Sequence, residues 1–77
     1  MDTFSYIATP VKGNKDQLIH DLSKLKFCEV IPAENRNLVI LVTTTPNKDS
    51  EQYLQSELKQ IKSLESLSMT YGHTDDV

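Results

Sequence analysis

Asn37-Leu38-Val39-Ile40-Leu41-Val42-Thr43-Thr44 is the most apolar and most β-branched run in the chain. Apolar side chains occupy both parities, so both faces of this strand must be covered or used. A strand of that kind belongs in the middle of a sheet. Helices can cover one of its faces permanently. What meets the other face is then the functional question.

The flanks on both sides can be read from this strand. Upstream, Phe27-Cys28-Glu29-Val30-Ile31 reads as a short strand stopped by Pro32, and Ala33 to Asn37 is a polar turn. The two strands make a hairpin, and the proline suits an edge position. Downstream, Pro46-Asn47-Lys48 is a break. Asp49 followed by Gln52 predicts a helix start, and Leu54, Leu58 and Ile61 form an apolar stripe at helical spacing. The same device occurs earlier: Asn14 with Gln17, then Leu18, Leu22 and Leu25, in a helix predicted to end near Lys24. Lys24, Lys26, Lys59 and Lys62 sit at the helix C-terminal ends, where the macrodipole favours cations. Phe4 to Thr9 alternates as a strand ending at Pro10, and Leu64 to Tyr71 is the last strand. Residues 73–77 are expected to form a frayed tail.

The order β-α-β-β-α-β predicts an α+β ferredoxin-like sandwich, with a four-stranded antiparallel sheet and both helices on one face. One domain is expected over residues 1–77. The first and third strands are central in that topology, as the Leu38–Val42 run requires. Ranking each strand's faces by apolar bulk points Phe4/Tyr6/Ala8, Cys28/Val30, Leu38/Ile40/Val42 and Leu67/Met69/Tyr71 at the helices. The uncovered face is then expected to carry Ser5, Ile7, Thr9, Glu29, Ile31, Val39, Leu41, Thr43, Ser66, Ser68 and Thr70. Its aliphatic centre would be Ile7, Ile31, Val39 and Leu41, ringed by hydroxyls and one carboxylate. An exposed apolar patch with a polar rim marks an interaction site. A homodimer interface and an ordinary exposed sheet are the bland alternatives.

Composition narrows the function classes. The 77 residues include one cysteine, so no internal disulfide framework exists and a reducing compartment is expected. His20 and His73 are isolated, without zinc spacing. The first residues, Met1-Asp2-Thr3-Phe4, show no signal-peptide pattern, and no run approaches membrane-spanning length. A cytoplasmic location is expected. Formal charge is −3 with a single arginine, Arg36, which argues against nucleic acid and leaves room for a basic partner. The expected open-face positions of the central strands hold no aromatic residue for stacking RNA bases. No Cys-x-x-Cys follows the first strand, and no glycine-rich loop with an arginine stands there. Cys28 is read as a structural thiol. No catalytic constellation, metal site or cofactor site is evident.

Taken together, these stretches resemble the NapD family, the chaperones of the periplasmic nitrate reductase. Ser5-Tyr6-Ile7-Ala8 stands where that family has a Ser and a short apolar run. Cys28-Glu29-Val30 stands at its Glu-Val pair, Leu38–Val42 at its apolar third strand, and Ser68-Met69-Thr70-Tyr71-Gly72-His73 at its closing strand. The chain departs from the family pattern at Lys26-Phe27-Cys28, Thr43, Ser63 and Gly72. The resemblance implies a non-enzymatic protein that binds the twin-arginine signal peptide of the catalytic subunit, as a helix against the open sheet face. It implies that export is held back until the molybdenum cofactor is inserted. Ser5, Ile7, Thr9, Glu29, Ile31, Val39, Leu41, Thr43, Ser68 and Thr70 are the peptide-binding residues this implies. No nucleic acid, stable membrane insertion or bound cofactor is expected. The residues do not fix the oligomeric state, and a monomer is the expectation. A dimeric small-ligand regulatory domain of the same fold is the alternative from a different class. A small isomerase using the sheet as a pocket would have only Glu29 as an acid or base.

Overall fold

The computed structural model describes residues 2–74. The elements are β1 (Asp2–Pro10), α1 (Lys15–Ser23), β2 (Cys28–Pro32), β3 (Val39–Thr45), α2 (Lys48–Lys59) and β4 (Leu64–Thr74). The four strands form an antiparallel sheet in the order β2-β3-β1-β4, so β1 and β3 are central, as the ferredoxin-like arrangement requires. β4 continues through His73 and Thr74, which pair with Thr3 and Asp2. The frayed tail expected for 73–77 is thus corrected at its first two residues, and its remainder lies outside the described residues.

Both leucine stripes do what their spacing predicts. Leu18, Leu22, Leu54 and Leu58 are buried against Tyr6, Ala8, Val39 and Leu41. Full burial of one such side chain is worth about 1.5–3 kcal/mol. Leu25 and Ile61 follow just after their helices and pack against the edge of the same core. The caps differ from the predicted ones. Asn14 makes no side-chain cap bond. α2 begins earlier than Asp49, because Asn47, extended after Pro46, accepts the Ser50 N–H at 2.9 Å. Asp49 therefore lies in the first turn, where its charge complements the helix dipole.

The faces of β3 are the reverse of those predicted. Val39, Leu41, Thr43 and Thr45 are fully buried under the helices, while Ile40, Val42 and Thr44 face the open side. Apolar bulk cannot choose between two apolar faces, but pairing can. Tyr6 lies opposite Leu41, Ala8 opposite Val39 and Phe4 opposite Thr43, and directly paired residues share a face. The faces of β1 and β2 are as predicted, with Cys28 opposite Thr43 and Val30 opposite Leu41.

β4 changes parity partway. Tyr6 pairs with Met69, yet Ser5 pairs with Tyr71, so Thr70 is the extra residue of a β-bulge. The bulge carries Tyr71 to the open face with Ser5, not to the helix face. It also sets Gly72 opposite Phe4, where an added Cβ would lie 2.9 Å from the Phe4 ring.

Two connectors are held by unusual contacts. Phe27, φ 64°, turns the chain from α1 into β2 in the left-handed region, and its carbonyl accepts the Thr44 N–H at 2.9 Å. The Lys15 ammonium donates to the carbonyls of Ala33 and Arg36 at 2.6 and 2.7 Å, which ties α1 to the hairpin turn. Asn35 supplies the left-handed residue of that turn, φ 61°, a conformation asparagine tolerates.

Candidate functional site

Both helices cover the same side of the sheet, and the opposite side is open. Cross-strand pairing arranges that side in two lateral rows. Ile31, Ile40, Ile7 and Ser68 form one row across the four strands. Glu29, Val42, Ser5 and Tyr71 form the next. Ile7, Ile40 and Val42 are half-buried by their neighbours alone, and Ile31 and Tyr71 are 46 % and 57 % exposed. The apolar centre thus spans three strands. Hydroxyls and the Tyr71 ring bound it on the β4 side, and the exposed Glu29 carboxylate stands at the β2 corner.

Of the residues predicted for this site, Ser5, Ile7, Thr9, Glu29, Ile31 and Ser68 are brought together here, and Ser66 lies opposite Thr9. Val39, Leu41 and Thr43 are not; they are in the core. Thr70 is not free either, since its hydroxyl donates to the Ser5 carbonyl at 3.1 Å. Ile40, Val42 and Tyr71 take their places. The first two could have been found from the hairpin, because Ile31 opposite Ile40 follows once the turn closes with Pro32 opposite Val39. Nothing in the β4 sequence announces the bulge that turns Tyr71.

A buried polar cluster beneath the sheet satisfies the hydroxyls on the inward face of β3. Glu51, on the first turns of α2, is 8 % exposed and points into the core. Its carboxylate accepts the Tyr6 hydroxyl at 2.9 Å, the Thr45 hydroxyl at 3.0 Å and the Gln55 amide at 3.1 Å, with Thr43 at 3.4 Å. The Gln55 amide also donates to the Tyr6 hydroxyl oxygen. No described buried side-chain N or O lacks a partner. Burial, reinforced by the neighbouring Glu51 carboxylate, holds the Tyr6 hydroxyl well above its usual range, so it stays a proton donor. Burial likewise pushes the Cys28 thiol up to about 11, with Glu51 adding to the effect. A thiol that stays protonated at neutral pH is not a nucleophile. Glu51 was legible as a core position, because it precedes Leu54 and Leu58 on the same helical face; its hydroxyl partners were not.

On the helix side, a cleft of about 460 Å³ opens between the end of α1 and α2. Leu25, Phe27, Tyr53 and Leu54 line it, with Lys24 and Lys26 on one wall and Asp49 and Glu57 on the other. Among the described residues, no group of His, Cys, Asp and Glu could hold a metal ion, and no helix is long and apolar enough to cross a membrane.

Set against protein-family models, curated proteins and solved structures, the chain matches none of them.

Proposed function

We propose that this chain is a non-enzymatic, cytoplasmic chaperone that binds the twin-arginine signal peptide of a periplasmic nitrate reductase catalytic subunit. By holding that peptide, it delays export until the molybdenum cofactor is in place. The observation that carries this reading is the open sheet face, an aliphatic centre of Ile7, Ile31, Ile40 and Val42 beside exposed Tyr71, with Glu29 at its corner. An amphipathic peptide helix needs an apolar bed of this kind. The acidic balance of the chain, −3, and Glu29 suit a peptide carrying two arginines. The resemblance of the closing strand and the Glu29-Val30 pair to the NapD family supplies the identity of the peptide.

The test contrasts the two faces of β3. Leu41→Asp places an unpaired charge in the core and should abolish the folded state, since that cost rivals the stability of so small a domain. Ile40→Asp leaves its carboxylate in water in the free protein, so the fold should survive with a modest loss in melting temperature. A docked helix would desolvate that carboxylate, so affinity for a twin-arginine peptide should fall roughly tenfold or more. Tyr71→Ala should also weaken binding while sparing the core. Circular dichroism melting and calorimetric titration make the measurements, and high salt should weaken wild-type binding only modestly, as exposed ion pairs contribute about 0–1 kcal/mol. If Ile40→Asp and Tyr71→Ala both bind with unchanged affinity, the open face is not the site.

A further inference from the structure

We infer that β4 is a pairing edge for a second copy of this chain, and that two copies join their sheets antiparallel through it with Ser68 opposite its own counterpart. This goes beyond peptide binding and departs from the monomer expected from sequence. The two edges of the sheet are unequal. β2 is short, carries Glu29 and ends in Pro32, which has no N–H to offer; each is a device that discourages edge pairing. β4 runs Leu64–Thr74 with neither lysine nor proline, and Glu65 is its only carboxylate. The sheet ends at β4, so its outer N–H and C=O groups form a template for another strand. Irregularities at Thr70 and at Glu65 bound it, and Ser66 to Met69 between them is in unbroken register with β1 and forms a regular edge.

Three observations favour a second copy as the occupant. The first is charge. A chain of net charge −3 repels itself over most of its surface, yet Ser66 to Met69 carries no charge at all. The second is Met69, which lies on the helix face opposite Tyr6 but is 54 % exposed, because the helices do not reach over it. The third is a groove of about 370 Å³ between α2 and β4, with Leu58, Ile61, Leu64 and Leu67 among its lining. A two-fold axis perpendicular to the sheet keeps both pairs of helices on one side. With Ser68 on that axis, Met69 of each copy meets Leu67 of the other at the mouth of this groove. A flexible thioether suits such an irregular gap. Ser66 to Met69 holds no carboxylate, so none faces another within the paired segment. The chain supplies both the knob and the hole, whereas a foreign strand would have to bring a matching side chain. The open faces of the two copies would become one continuous surface.

An edge contact of this kind falls below the roughly 1,200 Å² of a standard interface, so the dimer should depend on concentration. Analytical ultracentrifugation from micromolar to millimolar protein should show it. Met69→Lys should weaken it roughly tenfold or more, since an edge lysine opposes pairing. Ile40→Asp, on the open face, should leave it unchanged. In a Cys28→Ser background, Ser68→Cys should form an intermolecular disulfide on mild oxidation, because directly opposed residues hold their Cα atoms within disulfide reach. That cross-link decides the matter even if Met69→Lys fails to fold. A protein that stays monomeric throughout and does not cross-link overturns the inference. So does a dimer indifferent to Met69→Lys, or one abolished by Ile40→Asp, which would place the contact on the open face. None of these measurements involves a peptide, so the proposed function stands or falls separately.

Discussion

Glu51 is the acceptor that the inward-facing threonines of β3 share. Leu38 to Val42 could bury either face, and a slip of one residue would exchange them. Thr43 and Thr45 can lie on the helix side because the Glu51 carboxylate accepts their hydroxyls there. Glu51→Leu would keep the volume and remove the acceptor. The Tyr6, Thr43 and Thr45 hydroxyls would then compete for poorer partners, at about 1–3 kcal/mol for each left unsatisfied. A net loss of about 3 kcal/mol is expected, a fall in melting temperature of roughly 10–20 °C. An unchanged melting curve would mean that the shared acceptor adds nothing to stability. Cys28 gives a second prediction, in alkali. Its thiol holds a proton more tightly in the folded protein, up to about 11, than its ordinary value of 9.0. Below pH 9 both states are protonated and the contribution is complete. Between about 9 and 11 the unfolded thiol ionises first, so stability falls as pH rises through that window. Denaturation midpoints across this range should drop less steeply in Cys28→Ala, while the Tyr6 hydroxyl, raised in the same direction, accounts for part of the remainder.

At the scale of the element, β4 tests how a single inserted residue redirects a surface. The Thr70 bulge puts Gly72 beneath the Phe4 ring, with Met69 sulfur also near. Gly72→Ala must displace that ring, and an overpacked contact of this kind costs about 1–3 kcal/mol. Chemical shifts of the Phe4 ring and a thermal melt would detect it; a neutral substitution would mean the ring moves freely. Much of the architecture was legible. The leucine stripes, the prolines and the alternation of Phe4 to Thr9 sufficed for element order, sheet and helix layer. The candidate site was legible only in part. Ile7, Ile31 and Glu29 follow from strands with one clearly apolar face. Ile40 and Val42 escape a ranking by apolar bulk because β3 is apolar on both faces, and only the hairpin register that sets Ile31 opposite Ile40 separates them. Tyr71 was hidden because a bulge is a property of two strands paired, not of one strand's residue pattern.

Across the whole molecule, the sheet order separates what is local from what is not. Only β2 and β3 pair across a short turn, and Lys15 holds that turn against α1. β1 must wait for both of its neighbours. The Thr70 hydroxyl and the Ser5 carbonyl that receives it are 65 residues apart in the chain. Non-local pairing of this kind slows folding. It also bears on timing during synthesis. Each lateral row of the open face draws one residue from β1 and one from β4, so a growing chain that has emerged only through α2 has incomplete rows. The surface proposed to hold a client is therefore finished by the last strand to appear, and a half-made chaperone has no complete bed on which to receive one.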